Sequence, residues 1–96
     1  MSNKTRSQKK RFRNHKARVE IKKREIEKVE EQITIREKRI KANNVLLNPF
    51  NQISLTQRKR LIKQNANYIS KINQLKRELE EKKQELNELN KPILVF

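Results

Sequence analysis

Apolar residues recur at heptad spacing along both halves of this chain, and a proline, Pro49, interrupts them. The 96 residues contain no glycine, and the other proline stands near the end, at position 92. Tight glycine-dependent turns are therefore missing, which disfavours a β-rich fold. Glycine-rich phosphate loops are excluded on the same ground. Helix is what the remaining pattern allows.

The first stripe is Val19, Ile26, Ile33, Ile40 and Leu47. Its companion lane holds Val29 but then turns polar at Arg36 and Asn43, while Ile21 and Ile35 widen the stripe on the other side. This predicts a thinly amphipathic helix within residues 16–47, starting at Lys16 and reaching Leu46. Pro49 pushes Asn48 out of the α region. Ser54 reads as an N-cap, with Gln57 three residues on to complete a capping box, so a second helix is expected over residues 55–90. Its seam is clearer: Leu61, Tyr68, Leu75, Lys82 and Leu89 in one lane, Asn65, Ile72, Leu79 and Leu86 in the other. Alternating spacings of four and three are a coiled-coil signature, and Asn65 at a core position is a register-setting residue. Pro92 ends the helix.

The expected fold is all-α, two long helices forming an antiparallel helical hairpin or coiled coil with a basic N-terminal extension. Its segments are an arm (1–15), helix 1 (16–47), a Pro-containing corner (48–54), helix 2 (55–90) and an apolar tail (91–96). The seam of helix 2 looks richer than helix 1 can cover. A coiled-coil partner, self or another protein, is therefore expected on Leu61, Tyr68, Ile72, Leu75, Leu79, Leu86 and Leu89. Neither helix would be stable alone, since most helical stability comes from tertiary packing of an apolar face.

Charge is the second constraint. The chain carries 26 Lys and Arg against 11 acids, a net +15. Such an imbalance favours polyanionic partners and says little about fold. It is also segregated: residues 1–24 hold eleven bases and one acid, 25–48 five of each, 49–78 seven bases and one acid, and 79–96 three bases and four acids. With hydrophobic residues at 32%, no Trp and three Phe, the chain is too small and too polar to bury a wide enzyme core.

The first basic block supplies Lys4, Arg6, Lys9, Lys10, Arg11, Arg13, Lys16, Arg18, Lys22, Lys23 and Arg24 as candidate phosphate contacts. Phe12, inside the block, has the ring to stack on an unpaired base. A second block at the start of helix 2 adds Arg58, Lys59, Arg60 and Lys63. Cations at a helix N-terminus oppose the macrodipole, so their presence asks for a compensating contact such as phosphate. In a hairpin the two blocks lie far apart and would grip separate stretches of polyanion or different partners. The bland reading of both is a solvated face or tail.

Other chemistry is not in prospect. Cysteine is absent, so there is neither a disulfide framework nor a thiolate metal site. The lone His15 has no ligand set beside it and is expected on the basic face. No metal, cofactor or small-molecule substrate is expected. The acids alternate with bases at helical spacing, and Glu37–Lys41 and Glu78–Lys82 read as i, i+4 pairs. No apolar run approaches the roughly 20 residues of a membrane span, and no apolar stretch follows the basic start as in a signal peptide. The expected location is the cytoplasm, nucleus or a virus particle, not the secreted space. The last residues, Ile93, Leu94, Val95 and Phe96, are expected to fold back on the hairpin or to enter a partner's groove or sheet edge.

Asn14, Ala17 and Lys22 stand where the basic region of leucine-zipper transcription factors has Asn, Ala and a base. Over about ten residues the chain resembles that region, which implies a helix in the major groove. Downstream the chain departs: the companion lane is polar and Pro49 ends the stripe. A basic helix–loop–helix likeness departs too, because the basic block lies far upstream of the corner.

The function expected from the sequence is non-enzymatic docking on DNA or RNA phosphates through the Lys/Arg-rich arm, in a ribonucleoprotein or viral nucleoprotein particle. With few aromatics, contacts should fall on phosphate rather than base edges. A composition rich in Lys, Asn and Ile points to an AT-rich genome, which suits a virus. The rival expectation is a structural or scaffolding adaptor, possibly a phage or virion component, acting through its coiled coil and apolar tail.

Overall fold

The computed structural model describes the backbone of residues 2–91 and the side chains of residues 14–91. It is a helical hairpin: α1 spans Ser2–Leu46 and α2 spans Leu55–Asn90. Among the described residues there is no strand. The molecule is a rod of 77 × 21 × 16 Å with a radius of gyration of 22.2 Å, well above the roughly 13 Å of a compact chain of this length.

Helix α1 starts upstream of the expected Lys16. The 16–47 boundary followed the apolar stripe, which begins at Val19, but a helix continues until something stops it. Residues 2–15 hold neither Gly nor Pro and are rich in Lys and Arg, which favour helix. The segment expected as an arm at 1–15 is thus, from Ser2 onward, the first third of α1.

The corner uses no residue with positive φ. Asn48 and Asn51 build it instead. Asn48 Oδ1 accepts from the Phe50 amide at 3.1 Å, and Asn51 donates from Nδ2 to Val45 O at 2.6 Å. The Asn51 amide closes a turn onto Asn48 O at 2.9 Å. Ser54 then caps α2, its Oγ accepting from the Gln57 amide at 3.1 Å. Among the described residues the reciprocal bond of a capping box, from the Gln57 side chain back to Ser54, does not form.

The core is a single narrow seam of Ile26, Val29 and Ile33 against Ile72 and Leu75, each exposed by 6–8%. Ile40 and Leu79 pack at its edge, and Leu61, Tyr68, Leu86 and Leu89 are half-buried along α2. Helix α1 therefore covers the α2 seam more fully than its polar companion lane suggested. Arg36 folds back on its own helix, donating to Gln32 O at 3.1 Å and Gln32 Oε1 at 2.8 Å. Arg36 is half-buried there, as a long cationic side chain can be while its head stays wet. Asn43 meets the core Asn65, donating to its Oδ1 at 2.9 Å and to Gln64 Oε1 at 3.2 Å. Asn65 in turn donates to Asn44 Oδ1 at 3.0 Å. The two polar interruptions of the stripes thus satisfy each other across the seam and fix its register within one chain.

Ion pairs fix the other end. Lys22 bridges to Glu85 on α2 and to Glu25 at 3.2 Å on its own helix. Lys82 reaches Glu25 at 3.1 Å. The i, i+4 pairs Glu37–Lys41 and Glu78–Lys82 are not among the ion pairs of the described residues: Lys82, in a core lane, crosses to α1 instead. Hydrogen bonds from Lys82 and then Lys22 hold the Glu25 carboxyl below its usual range, and bonds to Glu85 and then Glu25 raise the Lys22 ammonium above its usual 10.5.

A lowered carboxyl pKa contributes stability that is complete above the unfolded value and is lost as pH falls through the folded one. A raised ammonium pKa contributes stability that is lost only as pH rises past 10.5. Melting followed by circular dichroism should therefore show acid destabilisation below the ordinary carboxylate range, and Glu25→Gln should flatten it. An unchanged acid limb in that variant would mean the bridge contributes nothing.

Candidate nucleic-acid interface

Helix α2 is shorter than α1 and pairs with its C-terminal part. Since Glu85 lies level with Lys22, the end of α2 at Asn90 falls level with about residue 17 of α1. Residues 2–16 of α1 therefore project past the end of α2, with no second helix beside them among the described residues. Lys4, Arg6, Lys9, Lys10, Arg11, Phe12, Arg13 and Lys16 all belong to this overhang by their backbone positions. The side chains of the first seven lie outside the described residues. The overhang has no acidic residue in its first turn and holds no acid at all. A lone helix of like charges repels itself along its length and is poorly stabilised without a partner.

At the root of the overhang the candidates divide. Lys16, Arg18 and Arg24 are exposed and make no ion pair among the described residues. Lys23 is exposed and lies 3.9 Å from Glu20. Lys22 is committed to the hairpin through Glu85 and Glu25. The resemblance to the zipper basic region suffers accordingly, since Lys22 occupies the position of that motif's base. His15 is half-buried on the extension of the seam, not out on the basic face.

The second block divides too. Arg58 is half-buried and donates from Nη1 to Leu47 O at 3.1 Å and from Nη2 to Asn51 O at 3.5 Å. It closes the carbonyl-rich end of α1, where a cation is favoured. These contacts offset the macrodipole penalty for which phosphate was the expected compensation. Lys59, Arg60 and Lys63 are exposed. Three further cations lie close by in the fold: exposed Lys38, Lys41 and Arg39, the last over the Tyr68 ring at 5.9 Å. Sequence segments cut at the corner had averaged these three with the acids of α1 and so concealed them.

Among the described residues no cluster of His, Cys, Asp and Glu could hold a metal, and no helix is long and apolar enough to cross a membrane. A shallow groove near the end of α2 is lined by Glu81, Gln84, Glu85, Asn87, Glu88 and Lys91, with no nucleophile or oriented base. Exposed apolar side chains gather toward the corner: Val45, Leu46, Phe50, Leu55, Ile62 and Ile69, with Phe50 at 92%. The expected partner residues Ile93, Leu94, Val95 and Phe96 lie outside the described residues. Fold and surface together define a basic, extended helical hairpin. No protein-family model matches the chain, nor does any curated protein or solved structure.

Proposed function

We propose that this chain is a non-enzymatic nucleic-acid-binding protein that docks on DNA or RNA phosphates through the projecting N-terminal part of α1. One observation carries the reading: this segment extends past its partner helix with seven Lys and Arg and no acid in residues 2–16, and Arg18 at its root makes eight. A bare cationic helix gains stability when phosphates neutralise it, and each phosphate contact releases condensed counterions. The paired part of the hairpin serves as a handle that holds the helix out. Lys59, Arg60 and Lys63 supply further contacts at the corner. A ribonucleoprotein or viral nucleoprotein particle, in the cytoplasm, nucleus or virion, is the setting such a part suits.

The test is the salt dependence of binding of the full chain to generic duplex DNA and to RNA. Eight phosphate contacts on DNA give a slope of log K against log salt of about −7. Absent binding, or binding indifferent to salt, counts against the reading.

A second reading is a scaffolding adaptor. It is favoured by the apolar side chains left exposed beside the α2 seam, Leu55, Ile62 and Ile69, which a second copy or another helical protein would cover.

A further inference from the structure

Folding redistributes the charge along the rod in a way that the linear sequence hides. The antiparallel register brings Glu20–Glu31 of α1 level with Glu78–Glu88 of α2, as the Lys22–Glu85 and Lys82–Glu25 pairs show. The rod then has three sections. The overhang with its root, residues 2–18, holds eight Lys and Arg and no acid. The waist, residues 19–33 with 75–91, holds ten of the eleven acids against nine bases. The corner half, residues 34–74, holds nine bases and one acid, Glu37. Two poles of +8 are thus separated by a section of −1.

The sections also differ in what their cations do. In the waist, four of the nine cations, Lys22, Lys23, Lys82 and Lys91, are in ion pairs with its carboxylates. In the corner half, Lys38, Lys41, Lys59, Arg60, Lys63 and Lys71 are exposed on both helices and make no ion pair among the described residues. The corner cations are thus open to solvent on both helices. The waist is about 22 Å long, more than twice the roughly 8 Å screening length at physiological salt, so each pole attracts polyanion independently of the other.

We propose that the protein is a bridge: the overhang and the corner half each hold a separate segment of polyphosphate, and the carboxylate-rich waist keeps a single segment from lying along the whole rod. This rests on the nucleic-acid reading above and adds a second, independent site to it. A segment laid side-on would bring phosphates against the exposed carboxylates Glu27, Glu30, Glu31, Glu80 and Glu81, where like charges repel. Occupation of the two ends by different segments avoids that contact.

The experiment immobilises one DNA duplex on beads and measures capture of a second, fluorescent duplex by the full-length chain, with protein charge kept well below DNA charge. Four proteins are compared: the natural chain, a corner variant (K41Q/K59Q/R60Q/K63Q), an arm variant (K9Q/K10Q/R11Q/R13Q) and a waist variant (E27Q/E30Q/E31Q/E80Q/E81Q). Circular dichroism confirms that each remains helical. The natural chain should capture the second duplex. The corner and arm variants should each still bind bead DNA, with the salt slope of the altered end shallower by about 3.6, yet capture no second duplex. The waist variant, now positive throughout, should bind bead DNA with a steeper salt slope and capture less. Bead binding without capture by the natural chain overturns the bridge and leaves the nucleic-acid reading standing. Undiminished capture by the corner variant also overturns it, since two arms of a self-associated protein would then suffice. No bead binding by any of the four overturns the nucleic-acid reading itself.

Discussion

A chain lacking residues 1–18 is expected to lose the DNA and RNA contacts of its N-terminal site, keeping only those of the corner half, while its hairpin survives. The deletion removes up to eight phosphate contacts, so the salt slope on duplex DNA should become shallower by about 7. Proteins making six to ten such contacts lose about three to five orders of magnitude in affinity between 50 and 200 mM salt, so the truncated chain should retain only the salt response of its corner cations. The hairpin should survive because nearly all of the deleted segment lies past the end of α2, and the core residues Ile26, Val29, Ile33, Ile72 and Leu75 are untouched. Binding titrations at several salt concentrations, with thermal melting of the same sample, give both readouts. Full affinity in the truncated chain would shift the contact to the corner, and an assembly partner retained without nucleic acid would favour the adaptor.

The second large effect is on stability. Leu75, exposed by 6%, sits in the small cluster with Val29, Ile33 and Ile72. Leu75→Ala should cost about 2–4 kcal/mol, a large share of what a small domain possesses, and lower the melting temperature by about 10–25 °C. No described side chain is buried below 2% exposure, so no deeper layer exists to absorb the loss. Ile62→Ala, at a position 56% exposed, is the control and should change stability by less than about 0.5 kcal/mol. An equal loss in the two variants would show that the lane beside the seam is covered in solution, by a second copy or another chain.

Much of the fold was legible because the signals were local. Ser54 and Pro49 fix the start of α2, and the four-three alternation from Leu61 to Leu89 fixes its buried face. The start of α1 was less legible because two signals disagreed: the apolar stripe begins at Val19, whereas helical continuity depends on breakers, and residues 2–15 contain none. Long-range pairings left no local trace. Lys82 has Glu78 at ideal helical spacing and yet reaches Glu25, because antiparallel packing places it closer to that carboxylate in the seam. Asn43 and Arg36 looked like flaws in a stripe, but Asn43 is the partner Asn65 requires. The corner charge was split for a similar reason. Lys38, Arg39 and Lys41 precede Pro49 and Lys59, Arg60 and Lys63 follow it, so only the turn makes them neighbours.

The asparagine cluster of Asn43, Asn44 and Asn65 has a consequence for reach. Sliding α2 by one heptad toward the N-terminus of α1 would keep apolar lanes facing one another but would separate the half-buried Asn43 and Asn65, leaving each amide without its partner at a cost of up to about 1–3 kcal/mol. The same slide would shorten the free helix by about 10 Å and move the turn by as much. Amide side chains near the corner therefore act as a calliper lock, setting how far the tips of the molecule stand apart.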